Sequence, residues 1–81
     1  MSRKLKDLDL MEKGIISGFE KGAEAYRTKL LSMGLTRGTE IQLLKYAPLG
    51  DPVEILVRGF KLSLRKAESE ILILDGGSNG K

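Results

Sequence analysis

Four arginines, Arg27, Arg37, Arg58 and Arg65, are the side chains in this sequence best suited to chemistry on a charged group. A guanidinium offered in trans can stabilise the charge of a transferring phosphoryl group. Such a role is defined by geometry within a complex, and an arginine on a small domain is more often a solvated or ion-paired surface residue. The rest of the catalytic repertoire is thin. The chain of 81 residues has no cysteine and no histidine. It therefore lacks thiolates, the commonest general base near neutrality and the commonest metal ligand. Carboxylates remain, and they suit hard cations rather than soft metals. No phosphate-cradling pattern, G-x-x-x-x-G-K-[ST] or G-x-G-x-x-G, is present. These absences argue against an enzyme and against a resident metal or cofactor.

Bulk charge narrows the field further. Lys and Arg total 14 against 11 Asp and Glu, a net charge of +3. Part of the excess sits at Arg3, Lys4 and Lys6. A solvated basic arm explains this cluster, and attraction to nucleic acid or an anionic membrane face is the sharper alternative. No apolar run approaches the roughly 20 residues of a membrane span. The N-terminus carries no apolar block with a cleavage pattern, so a soluble cytoplasmic protein is expected.

The elements that would position these side chains follow from patterning. Residues 1–13 read as an irregular lead-in with Leu5 and Leu8 docked on the body. Gly14 to Phe19 reads as a first strand, with bends or bulges at Gly14 and Gly18. Gly22 is placed as the N-cap of a helix from Ala23 to Met33. Ala23, Tyr26, Leu30 and Met33 fall on one face of that helix, with Leu31 at its edge. One reading buries the whole stripe with Leu31, and the other exposes Leu30 or Leu31 to a partner. Gly34 ends the helix at the C′ position, with Leu35 folding back on Leu30. Thr36-Arg37-Gly38-Thr39 forms a type II turn around Gly38.

Ile41 to Tyr46 is a second strand whose apolar register shifts between Leu43 and Leu44. Pro48 and Pro52 stiffen the loop from Ala47 to Pro52. Val53–Val57 and Phe60–Leu64 alternate around Arg58-Gly59, the pattern of a tight hairpin. Lys66 to Ser69 makes one helical turn, and Ile71 to Leu74 the last strand. One domain over residues 1–75 is expected, mainly β, with a disordered tail at 76–81. Its form is a small antiparallel barrel of about five strands, partly open, with one inserted α-helix.

The run from Tyr26 to Leu35, the turn Thr36–Thr39, the loop Ala47-Pro48-Leu49-Gly50-Asp51-Pro52 with Val53-Glu54-Ile55, and Leu62-Ser63-Leu64-Arg65 together resemble the FeoA family. Arg37 stands where the family often has proline, which should loosen the turn only slightly, and Leu10-Met11 replaces its usual Pro-Gly, which leaves the path of residues 8–14 open. The resemblance implies an SH3-like barrel. It implies a non-catalytic adaptor of ferrous iron uptake, whose partner is a FeoB-like membrane transporter with a cytoplasmic GTPase domain. That partner would recruit it to the inner face of the membrane, with no insertion of its own, as a monomer or weak oligomer. Leu30, Leu31 and Met33 on the helix, with Leu49, Gly50 and Asp51 at the loop tip, are the expected partner-binding residues. Two alternatives stay open: a nucleic-acid-binding barrel, disfavoured by the four scattered aromatics, and a stand-alone repressor-type SH3-like module.

Overall fold

The computed structural model describes residues 2–75; the expected tail at 76–81 lies outside them. In chain order the elements are β1 (Ser2–Arg3), a 3-10 turn (Leu5–Asp7), β2 (Lys13–Phe19), α1 (Glu24–Ser32), β3 (Glu40–Tyr46), β4 (Val53–Val57), β5 (Phe60–Leu64), α2 (Lys66–Ser69) and β6 (Leu72–Asp75). All strand pairs are antiparallel, in the order β1-β6-β2-β3-β4-β5.

Alternation in the sequence places the core. Ile16, Ile41, Leu43, Val53, Ile55, Val57, Leu64, Leu72 and Leu74 turn inward from their strands and are buried. Leu5, Leu8, Leu30 and Leu35 join them from outside the sheet. Burying apolar area is the main favourable term for a domain this small. Of the suspected strand irregularities, the ones at Gly18 and after Leu43 are present, whereas Gly14 pairs in regular register with Ile41. The β2–β6 register shifts between Ile16 and Gly18. The β3–β4 register shifts between Leu43 and Lys45, so Leu44 is the bulged residue and the apolar phase changes there.

The lead-in is more ordered than its sequence implies. Ser2 and Arg3 pair with Asp75 and Leu74. Arg3 is tethered by its Nη1, which donates to Glu12 Oε2 at 2.9 Å. Lys4 Nζ reaches Glu20 Oε2 at 2.8 Å and the Glu70 carbonyl at 2.7 Å. The basic arm is thus stitched to the body by ion pairs. Leu5 and Leu8 are docked as expected. The open path of residues 8–14 resolves as a turn. Met11 takes a left-handed φ of 70°, its N–H donates to Leu43 O, and the Asp9 N–H donates to Glu12 Oε1.

The hairpin at Arg58-Gly59 has positive φ at both residues, 52° and 84°. Those values are what a two-residue turn matched to strand twist demands. One inward position fails: Phe60, opposite Val57 at the barrel end, is 73% exposed. It lies at the first position of β5, where no described residue covers the ring.

Candidate partner-binding surface

The helix α1 begins at Glu24, one residue later than expected, with Ala23 rather than Gly22 as N-cap. Gly22 lies outside the helix because its φ of 82° is left-handed. At the other end the expected cap is complete. The Gly34 N–H donates to Leu31 O and the Leu35 N–H to Leu30 O, both at 3.0 Å. These are the two bonds of a Schellman cap, with Gly34 at φ 90° supplying the left-handed residue. Leu35 is then driven into the core beside Leu30.

The helix does not bury a wide stripe. Leu30 is its one buried residue, at 0% exposure. Tyr26 is exposed, Met33 just beyond the helix is half-buried against the core, and Leu31 is 38% exposed. A nine-residue helix rich in charged and polar residues touches the barrel along one short line. Leu30 therefore offers a partner no surface, whereas Leu31 does.

A second anchor holds α1 in place. Lys29 Nζ lies 2.6 Å from Glu68 Oε2 on α2. The Glu68 side chain is only 3% exposed. Its other oxygen accepts the Arg65 N–H at 2.9 Å. The Lys29 hydrogen bond, chiefly, and the Arg65 amide hold this carboxyl below the ordinary carboxylate range, against the opposing effect of burial.

The loop after β3 divides its labour. Gly50 is buried at φ 78°, with its N–H donating to Ala47 O at 2.7 Å. A Cβ there would meet the Tyr46 ring at 3.4 Å. Asp51 Oδ1 accepts the Lys66 N–H of α2 at 3.2 Å, and the Asp51–Pro52 peptide is cis. Leu49, between them, is 86% exposed. Of the six residues singled out in the sequence, Leu30, Gly50 and Asp51 serve as supports. Leu31 and Leu49 are displayed, with Met33 partly so. The two displayed leucines stand on elements that both bond to α2, one through Lys29–Glu68 and the other through Asp51–Lys66.

The four arginines separate. Arg58 donates to Thr39 Oγ1 at 3.2 Å, and Arg65 is the exposed N-cap of α2. Arg27 and Arg37 come together with Lys21 around a recess of about 290 Å³, floored by Phe19 and Gly22. The Arg27 guanidinium stands 5.8 Å from the Phe19 ring centroid, within cation–π reach. No sequence motif signals this recess, because the turn at Gly38 is what brings Arg37 back towards β2. Its three cations could receive an anion, against two carboxylates, Glu20 and Glu24, that also line it. Among the described residues, no group of three or more carboxylates is arranged to hold a metal ion, and no helix is long and apolar enough to cross a membrane.

Residues 3–74 match the FeoA domain model. A FeoA-like protein of Clostridium acetobutylicum is 34% identical with a TM-score of 0.80, over 91% of this chain and 85% of that one. An iron uptake regulatory protein, FeoA, is 31% identical with a TM-score of 0.77, over 93% and 96%. The zinc-complexed FeoA of Stenotrophomonas maltophilia, described as a prokaryotic SH3 domain protein, is 22% identical with a TM-score of 0.79, over 94% and 93%. This last likeness is one of fold, and it makes the barrel SH3-like.

Proposed function

This chain belongs to the FeoA family, and on that premise we propose that it is a non-catalytic accessory protein of ferrous iron uptake, acting in the cytoplasm on a FeoB-like membrane transporter. The contact is with the transporter's cytoplasmic GTP-binding part, which recruits the domain to the inner face of the membrane. Leu49 and Leu31 are the anchors, and Met33 borders the second. The observation that carries this assignment is the exposure of Leu49 at 86% on a loop whose neighbours are held rigid. An apolar side chain presented on a fixed backbone loses little entropy when it enters a partner pocket.

A small module of this kind regulates through a difference in affinity for two states of its partner. Binding that is equal in both states shifts nothing. The test is a pull-down of the intact transporter by the full chain, with GTP, with GDP and without nucleotide. Capture that depends on nucleotide and is lost in Leu49→Ser and Leu31→Gln is the expected result. Undiminished capture by both variants would remove this surface from the interface, and no capture under any nucleotide would remove the partner.

A further inference from the structure

One edge of the sheet is open in a way that specifies what can add to it. The hydrogen-bond parity of β3, β4 and β5 can be followed residue by residue. Leu43 directs its N–H to Glu12 O and its C=O to the Met11 N–H, away from β4. Its partner Ile55 must then bond on the other side, to Leu62 of β5. Phe60, Leu62 and Leu64 therefore bond inward to β4, and Lys61 and Ser63 direct their N–H and C=O outward. Among the described residues, β5 pairs with β4 alone. Both Lys61 and Ser63 are exposed, and neither has a hydrogen-bond or ion-pair partner among the described residues.

Charge and side-chain phase narrow the occupant. Arg58, Lys61, Arg65 and Lys66 bracket the edge, and no acidic residue lies between positions 58 and 66. The nearest carboxylate across the hairpin, Glu54, is opposite Ser63 rather than Lys61. A second copy of the chain would lay two such cationic runs side by side, which like-charge repulsion opposes. On the other face of the edge are the half-buried Leu62 and the exposed Phe60. An added strand would thus place alternate residues against Lys61 and against Leu62 and Phe60.

We propose that the β5 edge is a strand-addition site for an extended segment of another protein in which acidic and apolar residues alternate. Main-chain bonds to Lys61 and Ser63 would supply affinity, and the alternation would supply choice. This proposal is independent of the transporter assignment, which uses α1 and the Leu49 loop.

The test uses the isotope-labelled full chain and two blocked heptapeptides, one alternating valine with glutamate and the other valine with lysine. Amide exchange is followed by NMR. The glutamate peptide is expected to slow exchange at Lys61 and Ser63 by about tenfold or more, and the lysine peptide to leave it unchanged. Ser63→Pro removes an outward N–H while sparing every bond to β4, so it should fold and abolish the protection. Lys61→Glu keeps the backbone and should transfer the preference to the lysine peptide. Lack of protection at about 1 mM glutamate peptide, or equal protection by both peptides, overturns the proposal. Protection without peptide that grows with protein concentration makes the occupant a second copy and overturns it as well.

Discussion

Lys29 of α1 and the buried Glu68 of α2 form an ion pair at 2.6 Å that joins the two helices at a point where α1 has only Leu30 in the core. The pair makes α1 a part of the barrel rather than a loosely tethered arm. It also gives the protein an acid-sensitive contact. The Glu68 carboxyl is held below its ordinary value of about 4.3. Its stabilising contribution is present above that ordinary value and is lost as pH falls through the lowered folded value. Glu68→Gln should cost about 1.5–3 kcal/mol at neutral pH, the range for a hydrogen bond to a charged group. Denaturant midpoints of the two proteins should converge at pH well below the carboxylate range. A gap that is the same at both pH values would show that the charge of Glu68 is irrelevant.

Two adjacent leucines should behave oppositely. Leu30→Ala opens a cavity beside Leu35 and should destabilise the domain by about 2–5 kcal/mol in urea unfolding. Leu31→Ala, at a position already 38% exposed, should stay within about 0.5 kcal/mol of the parent. Leu31 substitutions can therefore report on partner contact, whereas Leu30 substitutions report on folding.

Gly34→Ala tests the helix cap. A Cβ at Gly34 would meet nothing closer than the Arg58 guanidinium at 3.6 Å, an ordinary contact. The expected loss of about 1–2 kcal/mol is thus the cost of a left-handed non-glycine residue, unmixed with a clash. Thermal unfolding of the variant against the parent measures it.

Met11 presents the reverse case. It is exposed and left-handed without being glycine. Met11→Gly relieves about 1–2 kcal/mol of backbone strain and costs about 0.4–1 kcal/mol through the freer unfolded chain. A net gain between about 0 and about 1.6 kcal/mol in urea unfolding is expected. A loss would show that the methionine side chain contributes packing that its exposure conceals.

Leu49→Ser should leave the urea midpoint unchanged to within about 0.5 kcal/mol, because the side chain touches solvent and the loop is held by Gly50 and Asp51. Gly50→Ala should not be neutral, since a left-handed φ and the Tyr46 ring both oppose a Cβ there. The contrast separates the residue that the loop displays from the residue that shapes it.

Much of this architecture was legible in local chemistry. Alternation found β2 to β5, glycines with positive φ marked the cap at Gly34 and the turns at Gly38 and Arg58-Gly59, and a change of apolar phase located the bulge at Leu44. Those signals act between residues close in the chain. The misses share one cause, that tertiary contact decided them. β1 is two residues long and exists because Arg3 and Lys4 find Glu12, Glu20 and Glu70 in space. The helix stripe suggested several buried residues, but only the crossing point of α1 on the barrel determines how many are covered. Phe60 follows the inward phase and still lies in solvent, because the pattern records direction and not whether anything is there to meet the ring. The displayed leucines were within the residues singled out; which of the six were displayed needed the burial of Leu30 and Gly50.

The pairing of Ser2 with Asp75 brings the first and last described residues into neighbouring positions on antiparallel strands. The two ends of the described segment therefore lie roughly 5 Å apart at the Cα atoms. A domain with that geometry can be spliced into a surface loop of a host protein without stretching either connection. A pull applied through the same two points would load the short β1–β6 ladder one bond at a time, by peeling rather than by shear. The rest of the sheet would feel the load only after β1 had come away.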